Sequence, residues 1–124
     1  GVVTQQEERG LSDHHNAQNS LDWAGTYEGL LPCADCEGIQ TKLTLANSGE
    51  YTLEQYYLKN NQQLSPSTIS GQFAFDEQRR SLIRLDANAD NRLFFVGENF
   101  VEVRDTDTGE KLSEVLDYSL RKTK

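Results

Sequence analysis

The sequence predicts an all-β domain, a small antiparallel up-and-down barrel of about eight strands. Two observations carry that expectation. From Leu21 onward, apolar residues recur at every second position, as they do on strands with one buried and one wet face. The alternating runs are separated by short stretches bearing Gly, Asn, Asp or Pro, so consecutive strands are expected to be neighbours in a meander. A set of about eight such strands can close on itself, and a sandwich is the alternative arrangement.

Residues 1–20, GVVTQQEERGLSDHHNAQNS, lack sustained periodicity and hold only Val2, Val3 and Leu11 as sizeable apolar side chains. They read as a flexible N-terminal tether, with the barrel domain over 21–124. The first strand is expected over 24–31. In the second, Ile39, Thr41, Leu43 and Leu45 alternate with Gln40, Lys42 and Thr44. Asn47-Ser48-Gly49 supplies a hairpin turn into a strand over 50–58. Ser65-Pro66-Ser67 reads as a longer connection, after which Ile69, Gly71, Phe73 and Phe75 alternate with Ser70, Gln72 and Ala74. Strands over 81–86 and 91–96 flank a polar run from Asp86 to Asn91, and a strand over 99–105 ends before the Gly-bearing turn Asp107-Thr108-Gly109. In the last strand, Leu116, Tyr118 and Leu120 alternate with Asp117, Ser119 and Arg121. Tyr51, Leu53, Phe73 and Phe75 are bulky enough to fill a small lumen. Trp23 is expected to plug one end, with Arg121 stacked on it if the first and last strands meet.

A chain of 124 residues suits one domain with one core. Its net charge of −8 argues against nucleic acid and against an anionic membrane surface, both of which attract Lys and Arg. No apolar run approaches the roughly 20 residues of a transmembrane helix. Because the chain lacks Met and begins at Gly1, it is expected to have lost an N-terminal segment such as a signal peptide or a lipid-anchor region.

Histidine restricts the chemistry. His14 and His15 both lie in the tether, so a Ser-His-Asp or Cys-His apparatus would have to recruit a mobile segment and forfeit positioning. With Asp13 the pair reads as a solvated linker rather than a metal site. Asp86, Asn88 and Asp90 imitate the opening of a calcium loop, but Asn91 stands where Gly is needed and Gly97 where a bidentate Glu belongs, so a polar turn is expected. Glu28, Glu54 and Glu102 occupy polar positions of alternating strands and read as a solvated face rather than a pair of acids for glycoside chemistry.

Cys33 and Cys36 are the only cysteines, too few for a structural zinc site. Three readings stand open for them. A disulfide would close a tight loop after Pro32, as in exported proteins. A catalytic dithiol would need a lowered thiol pKa, which Asp35 and Glu37 disfavour. A sensor would use the reduced pair as soft thiolates for Cu(I), or respond to redox state.

Trp23-x-Gly25-x-Tyr27-x-Gly29, followed by Leu31-Pro32-Cys33-Ala34-Asp35-Cys36-Glu37-Gly38-Ile39, closely resembles the N-terminal domain of the NlpE copper-homeostasis lipoproteins. The resemblance is strong over 21–58 and looser toward the C-terminus. It implies a lipocalin-like barrel on an outer-membrane lipoprotein facing the periplasm, a role in copper tolerance, and an envelope-stress sensor kinase as partner. Only Cys33 and Cys36 carry over by residue, as the family's C-x-x-C. The lipidated cysteine and the second, cysteine-bearing domain of longer members are not in this sequence. The expectation is therefore a non-catalytic envelope module involved in copper homeostasis and stress sensing. Cys33 and Cys36 are its disulfide or redox pair, and a copper site only when reduced. A carrier of a small apolar ligand is the alternative, and a disulfide-exchange protein the third reading.

Overall fold

In the computed structural model, which describes residues 22–124, each strand pairs with the next in chain order and the last returns to the first. The order is β1 Gly25–Leu31, β2 Gly38–Leu45, β3 Glu50–Lys59, β4 Gln62–Phe75, β5 Leu82–Leu85, β6 Leu93–Gly97, β7 Phe100–Arg104 and β8 Ser119–Lys122. All pairings are antiparallel, so the barrel is of the up-and-down kind and leaves no sandwich. The tether assigned to 1–20, with Asp13, His14 and His15, lies outside the described residues.

Alternation sets the register. Tyr27 lies opposite Leu43, Leu43 opposite Leu53, and Leu45 opposite Tyr51. Ile83 faces Phe94, Val96 faces Val101, and Val101 faces Leu120. Every one of these side chains is at most 2% exposed, so the lumen is a filled core. A slip of one residue in any pairing would turn a whole apolar row to water, which is why the pattern specifies the register so strongly. Tyr51, Leu53 and Phe73 fill the lumen as expected, and Phe75 packs against the core edge.

The poles of the barrel differ. At one, Trp23 meets Phe73 and Phe75 edge-on at 5.5 and 5.4 Å, and the Tyr27 hydroxyl donates to the Trp23 carbonyl at 2.6 Å. Burial, with Asp22 nearby, pushes the Tyr27 pKa up to about 12. Arg121 does not stack on Trp23. It pairs across from Glu28 and Phe100 at an outward, exposed position, because the inward neighbour in β8 is Leu120. The opposite pole collects the β1–β2 loop, the β3–β4 turn, the β5–β6 connection and the long β7–β8 connection.

Two boundaries depart from the sequence reading. β4 begins at Gln62, so Ser65-Pro66-Ser67 lies within a strand. The chain reverses instead at Asn60-Asn61, whose φ values of 54° and 62° suit a two-residue hairpin turn. Pro66 is tolerated because Ser65, at φ 52°, and Pro66 together lie opposite Tyr56 in a bulge, where no ladder donor is required. The last strand starts at Ser119, and Leu116 lies in the preceding connection, 53% exposed.

β4 and β5 share three paired residues, and a side chain extends the seam beyond them. Asp86 accepts from the Gln72 amide at 2.9 Å and from the Tyr51 hydroxyl at 2.7 Å, while Asn88 Nδ2 donates to the Ser70 carbonyl at 2.9 Å. The Tyr51 bond, then the Gln72 bond, holds the Asp86 carboxyl below its ordinary range. Burial first, then that same bond, raises the Tyr51 pKa. Gly71 makes room for this clip, since a Cβ there would collide with the Asp86 carboxylate.

Candidate functional site

Pro32 has no amide hydrogen to continue the ladder, and β1 ends at Leu31 just before it. The chain then turns through Cys33, Ala34, Asp35 and Cys36 and re-enters the sheet at Gly38. Cys33 and Cys36 are joined by a disulfide across a Cα separation of 5.4 Å. Both sulfurs are half-buried, while Ala34, Asp35 and Glu37 are exposed. The loop is tied to the β3–β4 hairpin at two points: the Glu37 amide donates to the Leu58 carbonyl at 2.8 Å, and Glu37 Oε2 accepts from the Asn60 amide at 3.0 Å. Glu37 is thus engaged in capping the hairpin turn.

Asp35 Oδ1 lies 3.5 Å from Cys33 Sγ, and the Gly38 carbonyl oxygen lies 3.4 Å from Cys36 Sγ. The two sulfurs and an Asp35 carboxylate oxygen fall within 4.8 Å of one another, the only such grouping of potential metal ligands among the described residues. Asp35 was seen in the sequence as a neighbour that disfavours thiolate; its position also makes it a third donor. With the disulfide closed, neither sulfur is a thiolate.

The other candidates are dispersed. Glu28 accepts from the Thr123 hydroxyl at 2.8 Å, Glu54 is exposed, and Glu102 is bridged by Arg104 at 2.7 Å and Lys111 at 3.0 Å. Burial raises the Glu102 pKa, but those two cations more than offset it and the net shift is downward. Asp86 caps the 3-10 turn Ala87–Ala89 by accepting from the Asn88 amide, and Asp90 closes it at φ 58°. The calcium-like run is therefore a polar turn whose leading carboxylate is saturated by protein donors.

Beneath the sulfur loop lies a hollow of about 220 Å³ that sequence reasoning did not find. Leu31, Pro32, Ile39, Gln55, Tyr57, Arg92, Val103 and Tyr118 line it, and they come from every quarter of the barrel. No local pattern in the sequence brings them together.

The NlpE N-terminal domain family model matches residues 27–114. A putative lipoprotein from Shewanella oneidensis, known from its crystal structure, is 40% identical with a TM-score of 0.77; the match covers 88% of this chain and 96% of that one. Lipoprotein NlpE of Escherichia coli K12 is 26% identical over 95 residues, which is 77% of this chain and 39% of that protein. The crystal structure of the Cpx pathway activator NlpE from Escherichia coli matches with a TM-score of 0.60 at 26% identity, covering 81% of this chain and 51% of that one.

Proposed function

The chain belongs to the NlpE N-terminal domain family, and from that premise we propose that it is the barrel module of a bacterial envelope lipoprotein acting in copper homeostasis and envelope-stress sensing. The module performs no catalysis; Cys33 and Cys36 are its responsive site. Its attachment is to the outer membrane through a lipid anchor, its face is periplasmic, and its partner is an envelope-stress sensor kinase. The relative described as a Cpx pathway activator supports that partner.

The observation that carries the reading is the sulfur pair itself. It is a closed disulfide on an exposed loop, with a carboxylate within ligand reach and the barrel's own hydrogen bonds holding the loop in place. Reduction by a dithiol would consume two electrons and two protons and yield two thiols. Deprotonated, those thiols suit Cu(I), which accepts low coordination by soft sulfur, and Asp35 stands close enough to contribute. The chain contains no Met, so thioether capture is closed to it. The disulfide-exchange reading is weaker because the loop's charged residues are Asp35 and Glu37, which disfavour the thiolate that exchange requires. The apolar-carrier reading is weaker because the lumen is occupied by side chains.

Competition against a Cu(I) chelator tests the proposal on reduced, oxidised and Cys33→Ser protein. The reduced protein should take one Cu(I) per chain, less tightly as pH falls and protons compete for sulfur. The oxidised and Ser forms should not compete. Equal competition by reduced and Ser protein would reduce the pair to a structural clip.

A further inference from the structure

The hollow at the sulfur-loop pole combines an apolar floor with a single cation. Leu31, Ile39 and Val103 supply hydrocarbon, the rings of Tyr57 and Tyr118 flank them, and Arg92 enters from the end of the β5–β6 connection. Arg92 is half-buried, and among the described residues its one side-chain hydrogen bond is to Gln55 Oε1 at 3.3 Å. No carboxylate pairs with it among the described residues. The other arginines of this pole are committed elsewhere. Arg84 donates to the Asn91 and Thr106 carbonyls, and Arg104 binds Glu102 and the Gly109 carbonyl.

The guanidinium is also held in place. Gln55 Nε2 donates to Thr41 Oγ1 at 3.1 Å, and Thr41, 1% exposed, donates to the Ile39 carbonyl at 3.0 Å. This chain fixes the Gln55 amide so that its oxygen faces Arg92 and its nitrogen faces away. An arginine held in this way keeps most of its N–H fork for a planar anion. A single positive charge balances a monoanion and leaves a dianion uncompensated.

We propose that this hollow binds a small monocarboxylate with a short apolar tail, the carboxylate on Arg92 and the tail on Leu31, Ile39 and Val103. The volume lies below the roughly 300–1,000 Å³ of sites for drug-sized ligands, and the packed core beneath it stops a long chain from descending. The site is independent of the sulfur pair, and its failure would leave the copper reading untouched.

The experiment is a titration of the ¹⁵N-labelled disulfide form with octanoate, 1-octanol, inorganic phosphate and palmitate, followed by NMR. Octanoate should saturate and shift the Arg92 Nε–H and Gln55 side-chain amide signals, while octanol and phosphate bind at least about tenfold more weakly. Palmitate should gain nothing over octanoate. Arg92→Met should lose octanoate affinity by at least about tenfold, and Arg92→Lys should keep part of it because a point charge replaces the fork. If Arg92→Met does not fold, Ile39→Trp, which fills the hollow from its half-buried rim, should abolish octanoate binding with Arg92 intact. Octanol binding as well as octanoate, phosphate binding as well as octanoate, or octanoate shifts confined to the Trp23 pole would each overturn the proposal.

Discussion

The poles of this barrel are built from different forces. At the Trp23 pole, three aromatic rings meet edge-on over a buried tyrosine. At the sulfur-loop pole, the contacts are a disulfide, backbone hydrogen bonds to a hairpin tip and a Gln–Arg pair around a hollow. Apolar burial, at roughly 25 cal/mol per Å², stabilises the first pole. The second pole packs Leu31, Ile39 and Val103 against the core but holds no such aromatic cluster, and it carries both proposed sites. On the proposed reading, stability and function are separated along the barrel axis, and substitutions test that separation.

Phe73→Ala should have the largest effect, about 3–5 kcal/mol lost in urea unfolding, because it leaves a void between Trp23 and Phe75. Cu(I) competition by the reduced protein should be unchanged. A parallel loss of copper affinity would show that the poles are coupled. Gly71→Ala should follow, at about 1–3 kcal/mol, since the added methyl must displace the Asp86 carboxylate from the seam. Opening the disulfide, by reduction or by Cys33→Ser, should cost about 2 kcal/mol or less, because so short a loop gains little from closure. It should alter copper binding far more than unfolding, the mirror image of Phe73→Ala.

The smallest effect concerns acid. Asp76, Asp86, Asp105 and Asp117 are held below the ordinary carboxylate range by hydrogen bonds, backbone amides of Arg79 and Gln78 in the first case and the Ser119 side chain in the last. Groups with depressed folded pKa values contribute stability above their unfolded pKa of about 3.9. That contribution disappears as pH falls through the lower folded values. Thermal midpoints should therefore be level from neutral pH to about 5 and fall below about 4, with a shallower fall in Asp86→Asn. An unchanged slope in that variant would remove Asp86 from the acid response.

Alternation made most of the barrel legible in the sequence, because a strand with one buried face has to write its period into its residues. Gly38–Leu45 and Glu50–Lys59 fall where Ile39 to Leu45 and 50–58 were expected. The sulfur loop was legible because its residues are adjacent in the chain. Pro66 misled because proline ordinarily interrupts a ladder, and the bulge that accommodates it depends on the partner strand. Leu116 fitted the last strand by alternation, but pairing with β7 begins only at Ser119. The Asp86 clip and the Arg92–Gln55 contact join residues 35 and 37 positions apart, and nothing local announces them.

The two ends of the described chain lie side by side at the Trp23 pole, where the Thr26 amide meets the Lys124 carbonyl at 3.1 Å and Lys122 Nζ meets the Asp22 carbonyl at 2.6 Å. In mechanical terms, anything that holds the protein through residues before Asp22 grips it at that pole. β1 then acts as a rigid spacer that projects Cys33 and Cys36 roughly 20 Å outward, at about 3.4 Å per residue. A pull between the grip and the sulfur loop would run along β1, loading its ladders with β2 and β8 in shear. The loop is thus presented to whatever approaches from the far side, at a distance set by strand length.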